Sequence, residues 1–112
     1  MTAEESDGYW VDVVDLMAIE EGIPLPVEVG KRRIAFFRIN DEVFATDEFC
    51  SHENASLADG YLDGDCIECP LHQSRFDIRT GRALSAPATE DIATYAVKID
   101  GERVFLNPKP RS

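Results

Sequence analysis

Two short motifs in this sequence each combine a thiol with an imidazole. One residue lies between Cys50 and His52, and two residues lie between Cys69 and His72. Sixteen residues separate His52 from Cys69, and the two motifs contain both histidines and two of the three cysteines of the chain. If the two segments converge, they present two sulfur and two nitrogen donors, which is a complete ligand set for a metal.

The segments that flank these motifs read as strands and tight turns. Apolar residues predict a strand over 32–39 and a terminal hairpin of residues 93–99 and 103–106. Three dipeptides predict two-residue hairpin turns: Asn40-Asp41, Asp63-Gly64 and Asp100-Gly101. The pattern predicts an all-β fold, a sandwich or small barrel, in which loops at about 47–60 and 69–75 hold the motifs on either side of one centre.

The N-terminal third adds two smaller expectations. Residues 15–22 predict a short helical turn, with Asp15 as its N-cap and Gly22 as its end. Pro24 and Pro26 exclude a continuing helix and favour an edge strand, because proline cannot donate a ladder hydrogen bond.

The bulk composition favours a single small domain. Residues 1–107 are expected to form it, with a frayed tail at 108–112. The net charge of −11 argues against nucleic-acid binding, since phosphates would be repelled. Nothing in the sequence reaches 18 consecutive apolar residues, and the acidic N-terminus lacks a signal pattern, so a cytoplasmic protein without a membrane span is expected. Thiols stay reduced there, which favours metal binding over disulfides.

The ligand set leaves two metal chemistries open. Two cysteines and two histidines often hold a structural zinc ion, but zinc motifs usually pair cysteine with cysteine and histidine with histidine. Here each motif mixes the two types. Two metals would use this mixture better, because one iron could take both thiolates and the other both imidazoles.

The residues around the motifs resemble the Rieske ferredoxin family. The resemblance is carried by Cys50-Ser51-His52, by the stretch Cys66-Ile67-Glu68-Cys69-Pro70-Leu71-His72-Gln73, and by Arg75-Phe76-Asp77 and Thr80-Gly81. It runs from about residue 44 to 106 and is closest to ferredoxin components of bacterial aromatic-ring-hydroxylating dioxygenases, including the naphthalene type. The family implies a Rieske fold, an antiparallel β-sandwich with a small cluster-binding subdomain of two loops.

The same resemblance implies the cofactor and the role of each ligand. One Rieske-type 2Fe–2S cluster would be held by Cys50 and Cys69 on the inner iron and by His52 and His72 on the outer iron. The implied function is a one-electron carrier, not an enzyme, between a flavoprotein ferredoxin reductase that uses NAD(P)H and a terminal Rieske oxygenase, with the carrier expected to be a monomer. A small Rieske subunit of another oxidoreductase, such as nitrite reductase, or a structural zinc module is the alternative.

Several residues depart from the family pattern or stay unassigned. Glu53 and Ser74 occupy places that are often glycine, and Ser74 is a candidate hydrogen-bond donor to a cluster sulfur. Neither loop has a second cysteine, so the disulfide of high-potential relatives is not expected, and Cys66 is interpreted as a buried structural residue. Acidic residues that crowd the first loop could be a docking rim or merely a solvated face: Asp47, Glu48, Glu53, Asp59, Asp63 and Asp65.

Overall fold

The computed structural model describes residues 9–50, 55–70, 74–85 and 90–111. Within these ranges the chain forms ten short strands and two single turns of 3₁₀ helix, Leu16–Ala18 and Leu57–Asp59. The strands are β1 Val11–Asp15, β2 Leu25–Val29, β3 Arg32–Ile39, β4 Glu42–Asp47, β5 Tyr61–Asp63, β6 Cys66–Glu68, β7 Arg75–Asp77, β8 Thr94–Tyr95, β9 Val97–Asp100 and β10 Arg103–Leu106.

The strands form three antiparallel sheets. The first has the order β1-β10-β9, the second β2-β3-β4-β8 and the third β5-β6-β7. The all-β antiparallel architecture predicted from the sequence is therefore confirmed. The small third sheet carries the segment that leads into Cys69, so the subdomain that the resemblance implies includes a sheet as well as two loops.

Strand β3 is buried on both of its faces and separates two hydrophobic cores. Successive side chains of a strand point to opposite faces, so β3 divides its apolar residues between them. Ile34 and Phe36 belong to a core shared with residues of the β1-β10-β9 sheet, including Val104 and Leu106. The opposite face belongs to a second core, whose buried members are Ala35, Phe37, Ile39, Cys50, Ala55, Leu57, Ile67, Cys69, Phe76, Ile78 and Ile92.

The hairpin turns fall close to their predicted positions. Asn40 and Asp41 form the β3–β4 turn with φ of 52° and 67°, the left-handed conformation that this turn type requires. The other two turns are one residue later than predicted. Asp63 pairs with Cys66 and Asp100 pairs with Arg103, so the turns are residues 64–65 and 101–102, each beginning with a glycine of positive φ.

The terminal hairpin differs from its prediction in one important respect. The sequence predicts one strand over 93–99, but the structure divides this stretch at Ala96 into β8, which pairs with β4, and β9, which pairs with β10. The chain thereby passes from one sheet to the other. A period-two pattern continues through such a crossing, so it does not reveal the change of partner.

The N-terminal expectations are met in part. Strand β2 lies at the edge of its sheet and includes Pro26, as predicted. The helical turn is much shorter than predicted. Asp15 occupies its N-cap position without a side-chain cap bond, because its carboxylate accepts a hydrogen bond from Arg103 at 2.9 Å instead. No helix in the described ranges is long and apolar enough to cross a membrane.

The domain boundaries of 1–107 and the tail at 108–112 stay a prediction. The last described residues are attached to the second sheet, since the backbone N–H of Arg111 donates to the carbonyl of Thr94 at 2.8 Å.

Tyr95 ties strand β8 to the end of β4, just before the first motif. Its hydroxyl donates to Asp47 Oδ1 at 2.6 Å and accepts from Arg32 Nη1 at 3.2 Å. The other oxygen of Asp47 accepts from the backbone N–H of Ala93 at 3.2 Å, and its own N–H donates to the Ala93 carbonyl at 2.9 Å. Both strands are thus joined where the Cys50 loop begins.

The buried hydrogen bond between Tyr95 and Asp47 predicts a specific loss of stability at alkaline pH. Burial, and then the bond to Asp47, raise the pKa of Tyr95 to about 12, above the value of about 10 for an unfolded tyrosine. Since the folded pKa is the higher one, the contribution is fully present below about pH 10 and is lost as the pH rises through about 12. We expect Tyr95→Phe to be less stable by about 1–2 kcal/mol near neutral pH, with the difference closing across that window.

The measurement is the free energy of unfolding as a function of pH for both proteins. Tyr9→Phe is the matched control, because Tyr9 is 63% exposed, and its profile should follow that of the unchanged protein. A constant difference between Tyr95→Phe and the unchanged protein at all pH values would contradict the assignment.

Candidate metal centre

Cys50 and Cys69 lie in the same hydrophobic core, although they come from different sheets. Cys50 follows β4 by three residues, and Cys69 directly follows β6. Their side chains are 6% and 0% exposed, and both belong to the core on the second face of β3. Neither forms a disulfide. The structure therefore brings the two predicted thiolate ligands to one place, shielded from solvent.

The two cysteines close their loops in the same way. The N–H of Cys50 donates to the carbonyl of Ala55 at 2.9 Å, and the N–H of Cys69 donates to the carbonyl of Ser74 at 2.7 Å. Each bond spans five residues and encloses a segment of four. His52 and His72 belong to these segments but lie outside the described residues, so their ligand roles stay predictions.

The donor set fits an iron–sulfur centre on the side that the structure describes. Two thiols without a disulfide in one apolar core are suited to a soft metal that takes both as thiolates, because the metal charge balances theirs. The backbone of each cysteine is held by a hydrogen bond across its loop, which is the kind of support that metal ligands need. Cys50 and Cys69 would hold one iron from the interior.

A buried carboxylate anchors the base of the first loop. Glu48 is 4% exposed, and its Oε1 accepts from Arg33 Nε at 2.7 Å. Its Oε2 accepts from Ser56 Oγ at 2.6 Å, and Ser56 Oγ accepts in turn from the N–H of Ala58 at 3.1 Å. Burial alone would raise the pKa of Glu48, but the bonds to Arg33 and Ser56 outweigh it and hold the pKa below its ordinary value. Glu48 is therefore ionised at neutral pH.

The second loop is anchored by backbone contacts. Ser74 is fully buried, and the next residue, Arg75, donates its N–H to Ser85 Oγ at 3.1 Å and accepts from the N–H of Leu84 at 2.7 Å. These bonds hold the strand that follows the loop. The burial of Ser74 is compatible with the hydrogen bond to a cluster sulfur that the sequence suggested, and that bond stays a prediction.

The acidic residues near the first loop do not form a free acidic rim. Four of the six candidates are engaged within the structure, and Glu53 lies outside the described residues. Asp47 accepts a hydrogen bond from Tyr95, and Glu48 accepts one from Arg33. Asp63 pairs with Arg75 at 2.7 Å, and Asp65 pairs with Arg79 at 3.3 Å. The arginines that follow the second loop thus pair with carboxylates on the hairpin before it. Asp59, Asp63 and Asp65 are the exposed members among those described.

Arg79 also connects the third sheet to β4. Besides Asp65 it pairs with Glu42 at 3.2 Å, and its guanidinium lies 4.7 Å from the centroid of the Phe44 ring. The cluster-bearing sheet is therefore tied to the larger sheet by charge and by an aromatic contact.

The prediction that Cys66 is a buried structural residue is wrong. Cys66 is half-buried and belongs to neither core. Its thiol lies beside the guanidinium of Arg75, whose pKa is raised first by Asp63 and to a smaller degree by Cys66. The alternation of β6 explains the position, since Ile67 points into the core and its two neighbours point away from it.

Arg33 and Ser56 were not singled out from the sequence. Arg33 stands in a basic run with no local signal of a buried partner fifteen residues away. Ser56 does carry a signal, because it begins a Ser-Leu-Ala-Asp stretch of the kind that starts a helix, and it caps the 3₁₀ turn of residues 57–59.

An all-β scaffold that presents two buried cysteines from matched loops defines a metal-binding protein of the iron–sulfur class. The Rieske [2Fe-2S] domain model matches residues 9–96. The chain belongs to this family, and the predictions of family, of an all-β Rieske fold and of one Rieske-type 2Fe–2S cluster are confirmed.

Individual relatives agree with this assignment. The ferredoxin component of a naphthalene 1,2-dioxygenase system from Pseudomonas aeruginosa is 50% identical over 88% of this chain and 94% of its own. The solved ferredoxin of Sphingomonas yanoikuyae B1 is 37% identical with a TM-score of 0.85, covering 90% of this chain and 100% of its own. A ferredoxin solved in complex with the oxygenase of carbazole 1,9a-dioxygenase is 33% identical with a TM-score of 0.85, covering 92% and 96%. These relatives are electron-transfer components, which confirms the prediction that the chain is not itself an enzyme.

Gly60 offers a test of how closely the first loop packs against the strand that leads to Cys69. A Cβ at this position would collide with the carbonyl oxygen of Glu68. The φ of −87° suits alanine, so the conflict is purely steric. We expect Gly60→Ala to lose about 1–3 kcal/mol of stability and to retain less iron, because the shift of Glu68 displaces Cys69.

Denaturant unfolding and iron content measure the two effects. Gly101→Ala is the control, since nothing lies within 4 Å of its Cβ and its φ is +64°. That variant should lose about 1–2 kcal/mol through backbone strain but keep its iron. Equal iron content in the two variants would show that the contact does not position Cys69.

Proposed function

We propose that this chain is a one-electron carrier of an aromatic-ring-hydroxylating oxygenase system. It accepts an electron from an NAD(P)H-dependent flavoprotein reductase and passes it to the terminal Rieske oxygenase. The observation that carries the proposal is the pair of buried cysteines on matched loops, in a chain 50% identical to a naphthalene 1,2-dioxygenase ferredoxin component. The relative solved in complex with an oxygenase supports the second partner.

Four residues are proposed as ligands. Cys50 and Cys69 hold the inner iron, and His52 and His72 hold the outer iron. When bound, the cluster takes up and releases one electron. Two thiolates and two neutral imidazoles leave the oxidised centre without formal charge, whereas four thiolates would make it an anion that is harder to reduce, so this ligand set raises the potential.

The chain's own residues favour a carrier over an oxygenase. Oxygenases of this kind add a mononuclear iron held by two histidines and a carboxylate. This chain contains two histidines, and the cluster uses both.

The burial of both cysteines supports electron exchange at the histidine side of the centre. One surface then serves both partners in turn, which requires contacts at the small and transient end of interface sizes. A monomer in the reducing cytoplasm suits this shuttle, and the lack of a disulfide at the three cysteines agrees with such a compartment.

Reconstitution tests the proposal directly. Purified chain is combined with a flavoprotein reductase and a terminal oxygenase of the naphthalene type, and NAD(P)H oxidation and product are followed. We expect product formation to depend on the concentration of the chain, and the protein to be red-brown with a rhombic EPR signal after reduction. Oxygenase turnover unaffected by the chain would refute the carrier role, and a colourless zinc protein would refute the cofactor.

Replacement of one imidazole by a thiolate tests the proposed ligand roles. We expect His72→Cys to retain iron but to have a lower reduction potential, because the centre gains negative charge. Transfer to the oxygenase should then fail. The measurements are iron content, a redox titration and product formation in the same reconstituted system, and full turnover by this variant would contradict the assignment.

A further inference from the structure

We propose that Arg33, Glu48 and Ser56 form a positioning network for Cys50, and that its charge balance sets the reduction potential of the centre. This inference rests on the proposed ligand role of Cys50. None of the three residues is a proposed ligand, and they act on the centre through the loop that carries Cys50.

The carboxylate of Glu48 is the middle of the network. It is 4% exposed, and each of its oxygens accepts one short hydrogen bond, from Arg33 Nε at 2.7 Å and from Ser56 Oγ at 2.6 Å. A carboxylate as buried as this one is tolerated because it is paired and fully hydrogen-bonded. Its conformation is therefore tightly restricted.

Backbone bonds connect the same residues to both ends of the Cys50 loop. The N–H of Glu48 donates to the carbonyl of Arg33 at 3.0 Å, and the carbonyl of Glu48 accepts from the N–H of Leu57 at 2.7 Å. Phe49 and Ser56 form an isolated antiparallel bridge between the two ends. The contacts of Glu48 with Arg33 and Ser56, called the Glu48 clamp, thus hold both ends of the loop. Through Arg33 they attach the loop to β3, the strand shared by both cores.

Cys50 follows the clamp directly. It is two residues after Glu48, and its N–H closes the loop on Ala55, which immediately precedes Ser56. A displacement of Glu48 or Ser56 therefore changes the position of the Cys50 backbone. At the described end of the second loop, Arg75 pairs with Asp63 through side chains that are 37% and 73% exposed, whereas Glu48 is buried two residues before Cys50. Cys50 is therefore the ligand that this network controls.

The Glu48 carboxylate can also act on the centre through its charge, because Glu48 and the nearby Cys50 are only 4% and 6% exposed. Reduction adds one negative charge to the centre, and the Glu48 carboxylate alone would oppose it, since Coulomb interactions are weakly screened inside a protein. Arg33 offsets this charge, but its side chain is 47% exposed and so is screened more strongly than Glu48. Removal of either partner should therefore shift the potential, and the two shifts should have opposite signs.

The experiment compares the reduction potential and the EPR spectrum of cluster-loaded variants. We expect Glu48→Gln to raise the potential, Arg33→Gln to lower it, and the double variant to lie between them. Arg33→Lys, which keeps the charge, should restore the potential towards that of the unchanged protein. Ser56→Ala keeps both charges but frees one carboxylate oxygen, so it should change the EPR g-values and speed the loss of iron to a chelator severalfold.

Arg103→Gln is the matched control. Arg103 also pairs with two carboxylates, Asp12 at 2.7 Å and Asp15 at 2.9 Å, but it lies in the β1-β10-β9 sheet, away from the core that holds the cysteines. The reduction potential of the Arg103→Gln variant should equal that of the unchanged protein. Potentials and g-values that stay the same in Glu48→Gln, Arg33→Gln and Ser56→Ala would overturn the inference. If the charge variants do not fold, Arg33→Lys and Ser56→Ala decide it alone, since unchanged g-values and chelation in Ser56→Ala would overturn it.

These results separate this inference from the proposed function. An unchanged protein that loads no cluster, or that supports no oxygenase turnover, would refute the carrier. A loaded and active protein whose variants keep its potential and spectrum would refute the network alone.

Discussion

Burial of β3 on both faces is the constraint on which the rest of the structure depends. Ile34 and Phe36 fill the core beneath the first sheet, while Ala35, Phe37 and Ile39 fill the core that contains both cysteines. Residues 34–37 of β3 are fully buried, so a slip by one residue would place side chains of different size in each packed core. The position of the metal centre is thereby linked to the packing of the whole molecule.

Short hydrogen bonds, rather than a disulfide, hold the described ends of the two loops. Equal closures at Cys50–Ala55 and Cys69–Ser74 hold the cysteine backbones, and the Glu48 clamp joins the first closure to β3. In the proposed network, charge and backbone contacts, rather than covalent crosslinks, adjust the centre.

Much of the fold, and the cysteine half of the site, could be predicted from the sequence, and the misses have physical reasons. The strand at β3 and the Asn40-Asp41 turn were predictable, because alternation and turn residues are local signals. The division at Ala96 was not, because a strand that changes sheets keeps its alternation. The burial of Glu48 also could not be predicted from the sequence. It depends on Arg33 and Ser56, which approach it only after β3 and the first loop have folded together.

The distribution of charge limits how the partners recognise this protein. The chain has a net charge of −11, which favours long-range steering towards basic surfaces. Close to the centre, however, Asp47, Glu48, Asp63 and Asp65 are engaged by internal partners, three of them by arginines. Local pairing reduces the repulsion that an added electron would meet, so the centre can be reduced in an acidic protein. For the proposed electron exchange at the histidine side, approach would depend on the charge of the whole surface and final docking on the residues around the proposed histidine ligands.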